Sequence, residues 1–375
     1  MRLRLMWVAV ALSLAFGVWR SHQPEALADF EAVRSWTGTL ASGEYPYNAD
    51  SNADYPPWAL VTLAPLLVLP DSVAGWGWIF VNIGLALAVA WRLAQVADVP
   101  RATRWALVAL ILMCSPFRVL SQFSVLSFAL GLWGASLKTP TGGGVLLGLS
   151  LMKPQVGGAL LLAHVCLRDW RRVVVAVGVP VALTGVAALW TGTSPLVLMA
   201  DWLAIVESLH GGDGLFPGHT ELEPWLVGVI PGVTTVAGSV ALGVVLLVPA
   251  MLVAGRLPAW RQVDTQHRLQ LYAWCGAVSL LATRHLAYDF LLLLPLVAAW
   301  RSAPLFQRQQ SSLRHWVWIT TVLLLVAQVP GWWRRVFEPI GSVEWAEFVL
   351  SSDRALAVAV YGVLSWFIMQ LNMTK

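Results

Sequence analysis

The stretch VLLGLSLMKPQVGGALLLAHVCL, residues 145–167, decides the fold class. Lys153 is the single Asp, Glu, Lys or Arg in it, and the apolar run is continuous, without the apolar/polar alternation of a membrane β-strand. A bilayer core of about 30 Å takes roughly 20 apolar helical residues, so the stretch reads as one membrane span. The whole chain has the same character. Of 375 residues 58% are hydrophobic, 12% are charged and 22 are Trp, with a mean hydropathy of +0.69, a balance that no soluble core requires.

Further apolar segments lie outward from it on both sides, from Leu5 to Trp19 near the start to Ala355 to Leu371 near the end. Before it stand Trp58 to Leu69, Val73 to Trp91, Trp105 to Phe117 and Phe123 to Leu137; after it comes Val173 to Trp190. The expected fold is an all-α polytopic membrane protein, one integral domain over residues 1–375 with about ten to twelve transmembrane helices. Arg2 and Arg4, Arg168, Arg171 and Arg172, and the loops carrying Arg256 to Arg268 and Arg301 to Arg314 read as cytoplasmic by the positive-inside rule. Two acidic stretches, 20–56 and 191–224, are expected to share the external face, the second having no Lys or Arg. Between Tyr55 and Arg168 the parity of spans sets Arg101 and Arg104 outside, against that rule, and the Arg118 to Gln122 turn inside. Half-spanning or re-entrant pieces are the alternative there.

The N-terminus also fits a cleavable signal peptide, since Arg2, Arg4, an apolar run and Ala26-Leu27-Ala28 stand in the right order. The reading kept retains the run as the first span, which sets Asp29 just outside the membrane. Cys114, Cys166 and Cys275 lie in apolar segments with no paired spacing, so neither a disulfide framework nor a metal cage is expected.

Polar residues in apolar surroundings carry the functional signal. Lys153 lies about 15 residues before the Arg168 cluster, roughly 22 Å along a helix and so near the outer surface. An ammonium there calls for an anion or a wet cavity, or else for a structural ion pair or a stem that snorkels to the interface. Arg284 and His285 are donors suited to phosphate, or interfacial caps with Tyr288 as a headgroup-level anchor. The first acidic loop offers Glu25, Asp29, Glu31, Glu44, Asp50 and Asp54, and spacing alone selects none of them.

In order along the chain stand Asp29-Phe30, Gly43-Glu44-Tyr45-Pro46-Tyr47, Tyr55-Pro56-Pro57, Ser115-Pro116-Phe117-Arg118 with Ser121-Gln122, Gly148 to Pro154, the Arg168 to Arg172 turn, and Arg284-His285 onward to Pro295. This ordered set resembles glycosyltransferase family 87, the polyprenyl-phosphate-mannose-dependent glycosyltransferases. Ser121 stands where the family usually has Gly before Gln, and Thr220-Glu221-Leu222 where Asn-Gln-Ser is expected. The resemblance implies a bundle of the glycosyltransferase C superfamily whose external first loop carries short helices. It implies a polyprenyl-phosphate sugar donor, mannose by inheritance, and a glycolipid or glycan hydroxyl as acceptor, at an external site of the plasma (inner) membrane. It makes Asp29 the base; Lys153, Arg284 and His285 hold the donor phosphate, with Arg118 and Gln122 as further phosphate candidates on an undecided side. Tyr55 and Tyr288 are the expected substrate contacts.

No cofactor and no nucleic acid is expected, and metal dependence stays open. The chain has no Gly-rich phosphate loop at a strand–helix junction and no long cytoplasmic segment, which disfavours a sugar-nucleotide donor. The rival reading is a multispanning transporter or flippase for an anionic lipid or sugar. Such folds commonly carry internal repeats, and none is evident here.

Overall fold

A computed structural model describes residues 27–48, 51–96, 122–210, 234–254, 265–283 and 291–295, together with Ala11 and Tyr361. Among the described residues every regular element is helical. In chain order these are α1 (Ala28–Ala41), α2 (Pro57–Leu63) continuing into a 3₁₀ turn (Ala64–Val68), α3 (Asp71–Val96), α4 (Ser124–Ser136), α5 (Pro140–Ser150), α6 (Pro154–Cys166), α7 (Trp170–Thr191), α8 (Pro195–His210), α9 (Thr235–Ala254) and α10 (Thr265–Ala282). Proline marks several starts: Pro57, Pro140 and Pro154 sit in the first helical positions, where the missing N–H costs nothing. Gly192 closes α7 in the left-handed conformation at φ 65°.

Val73–Val96 and Trp170–Thr191 are long and apolar enough to cross a membrane. Both turn large apolar side chains outward, Phe80, Val81 and Trp91 on α3 and Val174, Val181 and Leu189 on α7. Inward, α3 buries Trp78, Ile79, Ala86, Ala90 and Leu93, and α7 buries the small residues Ala176 and Ala187. An apolar exterior suits lipid, and on α7 the small buried residues allow close helix packing.

Residues 145–167 do not form one span. Leu151 to Lys153 make a turn held by Leu151 N–H to Gly148 O, 3.1 Å, and Met152 N–H to Leu149 O, 3.1 Å, and α5 and α6 fold back on each other as a hairpin. The cause is local. Pro154 disfavours helical backbone at the residue before it, and Lys153 is extended at φ −120°, ψ 91°. Gly157 lets the two arms touch, because a Cβ there would lie 2.4 Å from Ser150 O. The open ends of the hairpin meet the start of α7, where Gly143 packs on the Arg172 guanidinium. Its apex, Lys153, therefore lies at the far end of the bundle, about 20 Å away by the length of α6.

Trp58 to Leu69, entered above as an apolar segment, is not a crossing element either. Trp58 Nε1 donates to Leu151 O at the hairpin apex, 2.8 Å, and Leu69 O accepts from Arg34 of α1, 2.5 Å, so both of its ends stay with the apex layer. The 191–224 stretch, read as a loop, contains α8, which buries Leu198 and Ile205 along one face over that same layer. The two acidic stretches meet there: Tyr45 Oη donates to Asp201 Oδ2, and Trp202 Nε1 donates to Asp54 O at 2.8 Å.

Candidate active site

The apex layer gathers residues far apart in sequence around Lys153. Lys153 is 5% exposed, and its ammonium donates to Ser124 Oγ at 2.5 Å and to Gln122 Oε1 at 3.5 Å. Gln122 Nε2 in turn donates to Asp29 Oδ2. One amide thus links a carboxylate to an ammonium, its carbonyl facing the cation and its NH₂ the anion, which is the only orientation that satisfies both.

Each member is held by its element. Asp29 lies in the first turn of α1, where a carboxylate complements the helix dipole. Its neighbour Phe30 is buried and stacks on Trp78 at 5.5 Å and on Phe123 at 6.3 Å, with Trp78 and Phe123 themselves 4.5 Å apart. Burying such a ring stabilises by about 1.5–3 kcal/mol, enough to fix the register of α1 and with it Asp29. Gln122 and Ser124 flank Phe123 at the start of α4, so the same aromatic cluster anchors both sides of the carboxylate–amide contact. Lys153 is presented by the hairpin turn, whose arm α5 is tied to α4 by Ser127 Oγ donating to Ser150 O at 2.5 Å.

Tyr55 joins the wall of the site. Its ring meets Phe123 edge-on at 5.7 Å, and its carbonyl accepts from Tyr47 Oη at 2.8 Å. Burial first, then the hydrogen bond to Asp201 and that group's charge, push the Tyr45 phenol well above its ordinary range. Tyr47 moves the same way, chiefly through burial. Both remain neutral donors across the physiological range and pin the first acidic loop over the site.

Asp29, Gln122 and Lys153 are therefore neighbours, and Gln122 lies on the same side as Asp29. Arg118, Arg284, His285 and Tyr288 fall outside the described residues, as does Asp50. The chain does leave α10 at this end, since Ser279 Oγ donates to Gln155 O, two residues from Lys153, at 2.6 Å. Ser124 escaped the sequence reading, although a polar residue opening an apolar helix two positions after Gln122 was an available signal. Among the described residues no group of three His, Cys, Asp or Glu side chains gathers to hold a metal.

The arrangement offers a proton acceptor and a fixed cation one amide apart, walled by aromatic rings. Such a pair suits a reaction in which a hydroxyl loses a proton at one point while negative charge grows at another. A family model described as glycosyltransferase family 87 matches residues 54–283. The match takes in Gln122, Ser124 and Lys153, begins after Asp29 and ends just before Arg284. No curated protein matches the chain.

Proposed function

We propose, from the premise that this chain belongs to glycosyltransferase family 87 and is a membrane glycosyltransferase, that it moves a sugar from a polyprenyl-phosphate donor to a hydroxyl acceptor on the external face of the membrane. The observation that carries the reading is the hydrogen-bonded chain Asp29–Gln122–Lys153–Ser124. Asp29 takes the proton of the acceptor hydroxyl as its oxygen bonds to the anomeric carbon. The bond from that carbon to the phosphate oxygen breaks, and its electron pair leaves with polyprenyl phosphate. The donor is a phosphodiester with one charge and the leaving group a monoester that gains a second. Lys153 therefore interacts more strongly with the departing group than with the bound donor, which is the condition for catalysis rather than mere binding.

Mannose is the expected sugar and a glycolipid or glycan the expected acceptor; Tyr55 contacts substrate, and Arg284, His285, Arg118 and Tyr288 complete the phosphate and sugar sites. Two features support an external site in a polytopic glycosyltransferase C-like bundle of the plasma membrane. The acidic stretches cover the Asp29 end, and the arginines at 168, 171 and 172 mark the opposite end. The test is purified protein in liposomes offered a panel of polyprenyl-phosphate sugars and a hydroxyl acceptor. Sugar transfer with release of polyprenyl phosphate is expected. Transbilayer movement of the lipid without transfer would replace the reading with that of a flippase.

A further inference from the structure

The end of the bundle opposite Asp29 holds a cavity of about 670 Å³ whose lining the sugar-transfer site does not use. Among the described residues, six cationic side chains line it, Arg92, Lys138, Arg168, Arg171, Arg172 and Arg268, against one carboxylate, Asp169. Asp169 is engaged within the wall: its Oδ2 lies 3.2 Å from Arg172 Nε in an ion pair and 3.3 Å from His164 Nδ1. Arg172, 2% exposed, caps the end of α4 through Gly134 O, Ala135 O and Leu137 O, each at 2.8 Å. The other five cations also line the cavity, and Asp169 is the one carboxylate among the described lining residues.

A basic loop alone would satisfy the positive-inside rule, but this charge is not confined to a loop. Arg92 projects from α3 and Arg268 from α10, so separate helices converge their cations on one space. Arg168 adds a second, independent sign. It ends α6 in a Schellman turn, with Asp169 N–H to His164 O and Arg168 N–H to Val165 O both at 3.0 Å, and it sits at φ 56°, where glycine is the usual residue. The chain keeps a guanidinium at a backbone position that disfavours any side chain. The walls between the cations are apolar, Val96, Leu132 and Leu269. Trp91 and Trp170, each next to a cavity cation and about half exposed, stand where aromatic residues anchor at headgroup level.

We propose that this cavity binds the phosphate headgroup of an anionic phospholipid from the leaflet opposite the sugar-transfer site. The cations receive the phosphate oxygens and the apolar walls receive the glycerol end of the acyl chains. The site stands on the cavity and the Arg168 turn alone, independent of the transferase mechanism.

The experiment is thermal unfolding of purified protein in neutral detergent micelles, titrated separately with phosphatidylglycerol, phosphatidylcholine and inorganic phosphate. Arg168→Gly, Arg171→Gln and the double variant are measured alongside wild type. Arg168→Gly relieves the backbone conformation, so its melting temperature without lipid is expected to equal or exceed that of wild type. Phosphatidylglycerol is expected to raise the wild-type melting temperature, with half-effect concentrations roughly fivefold higher per cation removed and so roughly 25-fold higher in the double variant. Variants that respond as wild type does overturn the proposal, as does a phosphatidylcholine response equal to that of phosphatidylglycerol. Inorganic phosphate reproducing the full shift overturns the lipid assignment in favour of a free anion. Arg171→Gln, at an exposed position, keeps the test decisive if Arg168→Gly fails to fold.

Discussion

Replacing Lys153 by Met separates the ammonium's work on the donor from its work on the fold. Met retains most of the stem volume, so the buried pocket stays filled. Lost in folding are the hydrogen bonds to Ser124 and Gln122, at 2.5 and 3.5 Å. Bonds to a charged group contribute about 1.5–3 kcal/mol, and the burial penalty of the ammonium, several kcal/mol, disappears with them. These terms oppose, and the variant is expected to fold with stability close to wild type. Donor binding has no such offset. Loss of one charge-assisted bond to phosphate, again about 1.5–3 kcal/mol, weakens affinity by roughly 10- to 150-fold. Free polyprenyl phosphate, with its second negative charge, is expected to lose more than the sugar-bearing diester. Calorimetric titration of both ligands, with a thermal melt as the folding control, measures the two effects on one sample. A folded Lys153→Met protein that binds both ligands as wild type does would reduce Lys153 to a partner of Gln122 and Ser124 and refute the phosphate role.

The hairpin makes a matched prediction at adjacent glycines: Gly157→Ala drives a Cβ to 2.4 Å from Ser150 O, whereas at Gly158 nothing lies within 4 Å. Gly157→Ala is expected to lower the melting temperature and turnover sharply, and Gly158→Ala to leave both near wild type; the reverse order in melts and assays would deny the hairpin. The raised phenol of Tyr45 sets an alkaline limit. A group whose pKa is raised by folding stabilises fully below its ordinary value, about 10 for tyrosine, and loses that contribution as pH climbs through the folded value. The docking of the first acidic loop is therefore expected to hold at pH 10 and fail only above it, and Tyr45→Phe to lose about 1 kcal/mol at neutral pH while abolishing that step in unfolding titrations. Reporters fused after Glu31 or within 211–217 are expected to read external and those within 256–268 or 301–314 cytoplasmic; a cytoplasmic signal after Glu31 would invert the proposed site.

The all-helical character was open to reading because continuous apolar runs constrain backbone hydrogen bonding wherever they occur. The hairpin was not, since Lys153 and Pro154, with Ser150 and Gln155 beside them, are residues that kinked spans also tolerate. Pro180 shows the ambiguity: it lies inside α7 and leaves the helix continuous, with Thr184 Oγ1 donating to its carbonyl at 2.8 Å. Pro154 instead begins a new helix, because Gly157 gives the returning arm room beside Ser150. That difference lies in tertiary contacts and not in local propensity. In the site, Lys153 stood out as a cation in an apolar run, and Asp29 through the family resemblance. The Asp29–Gln122 contact joins residues 93 positions apart and has no local signature. The same holds for the basic cavity: Arg168, Arg171 and Arg172 form a visible cluster, but Arg92 and Arg268 come to it only through the packing of α3 and α10.

The central claim, that Asp29 and Lys153 act together in sugar transfer from a lipid phosphate, is tested most directly by turnover of Asp29→Asn in liposomes supplied with polyprenyl-phosphate sugar and acceptor. Asparagine keeps the shape of the side chain and removes its basicity. Turnover is expected to fall by roughly a hundredfold or more with donor affinity largely retained, while Asp50→Asn and Asp54→Asn, in the same acidic stretch, cost far less. Near-normal turnover in Asp29→Asn, with activity lost in either control, would contradict the account and move the base elsewhere in the loop.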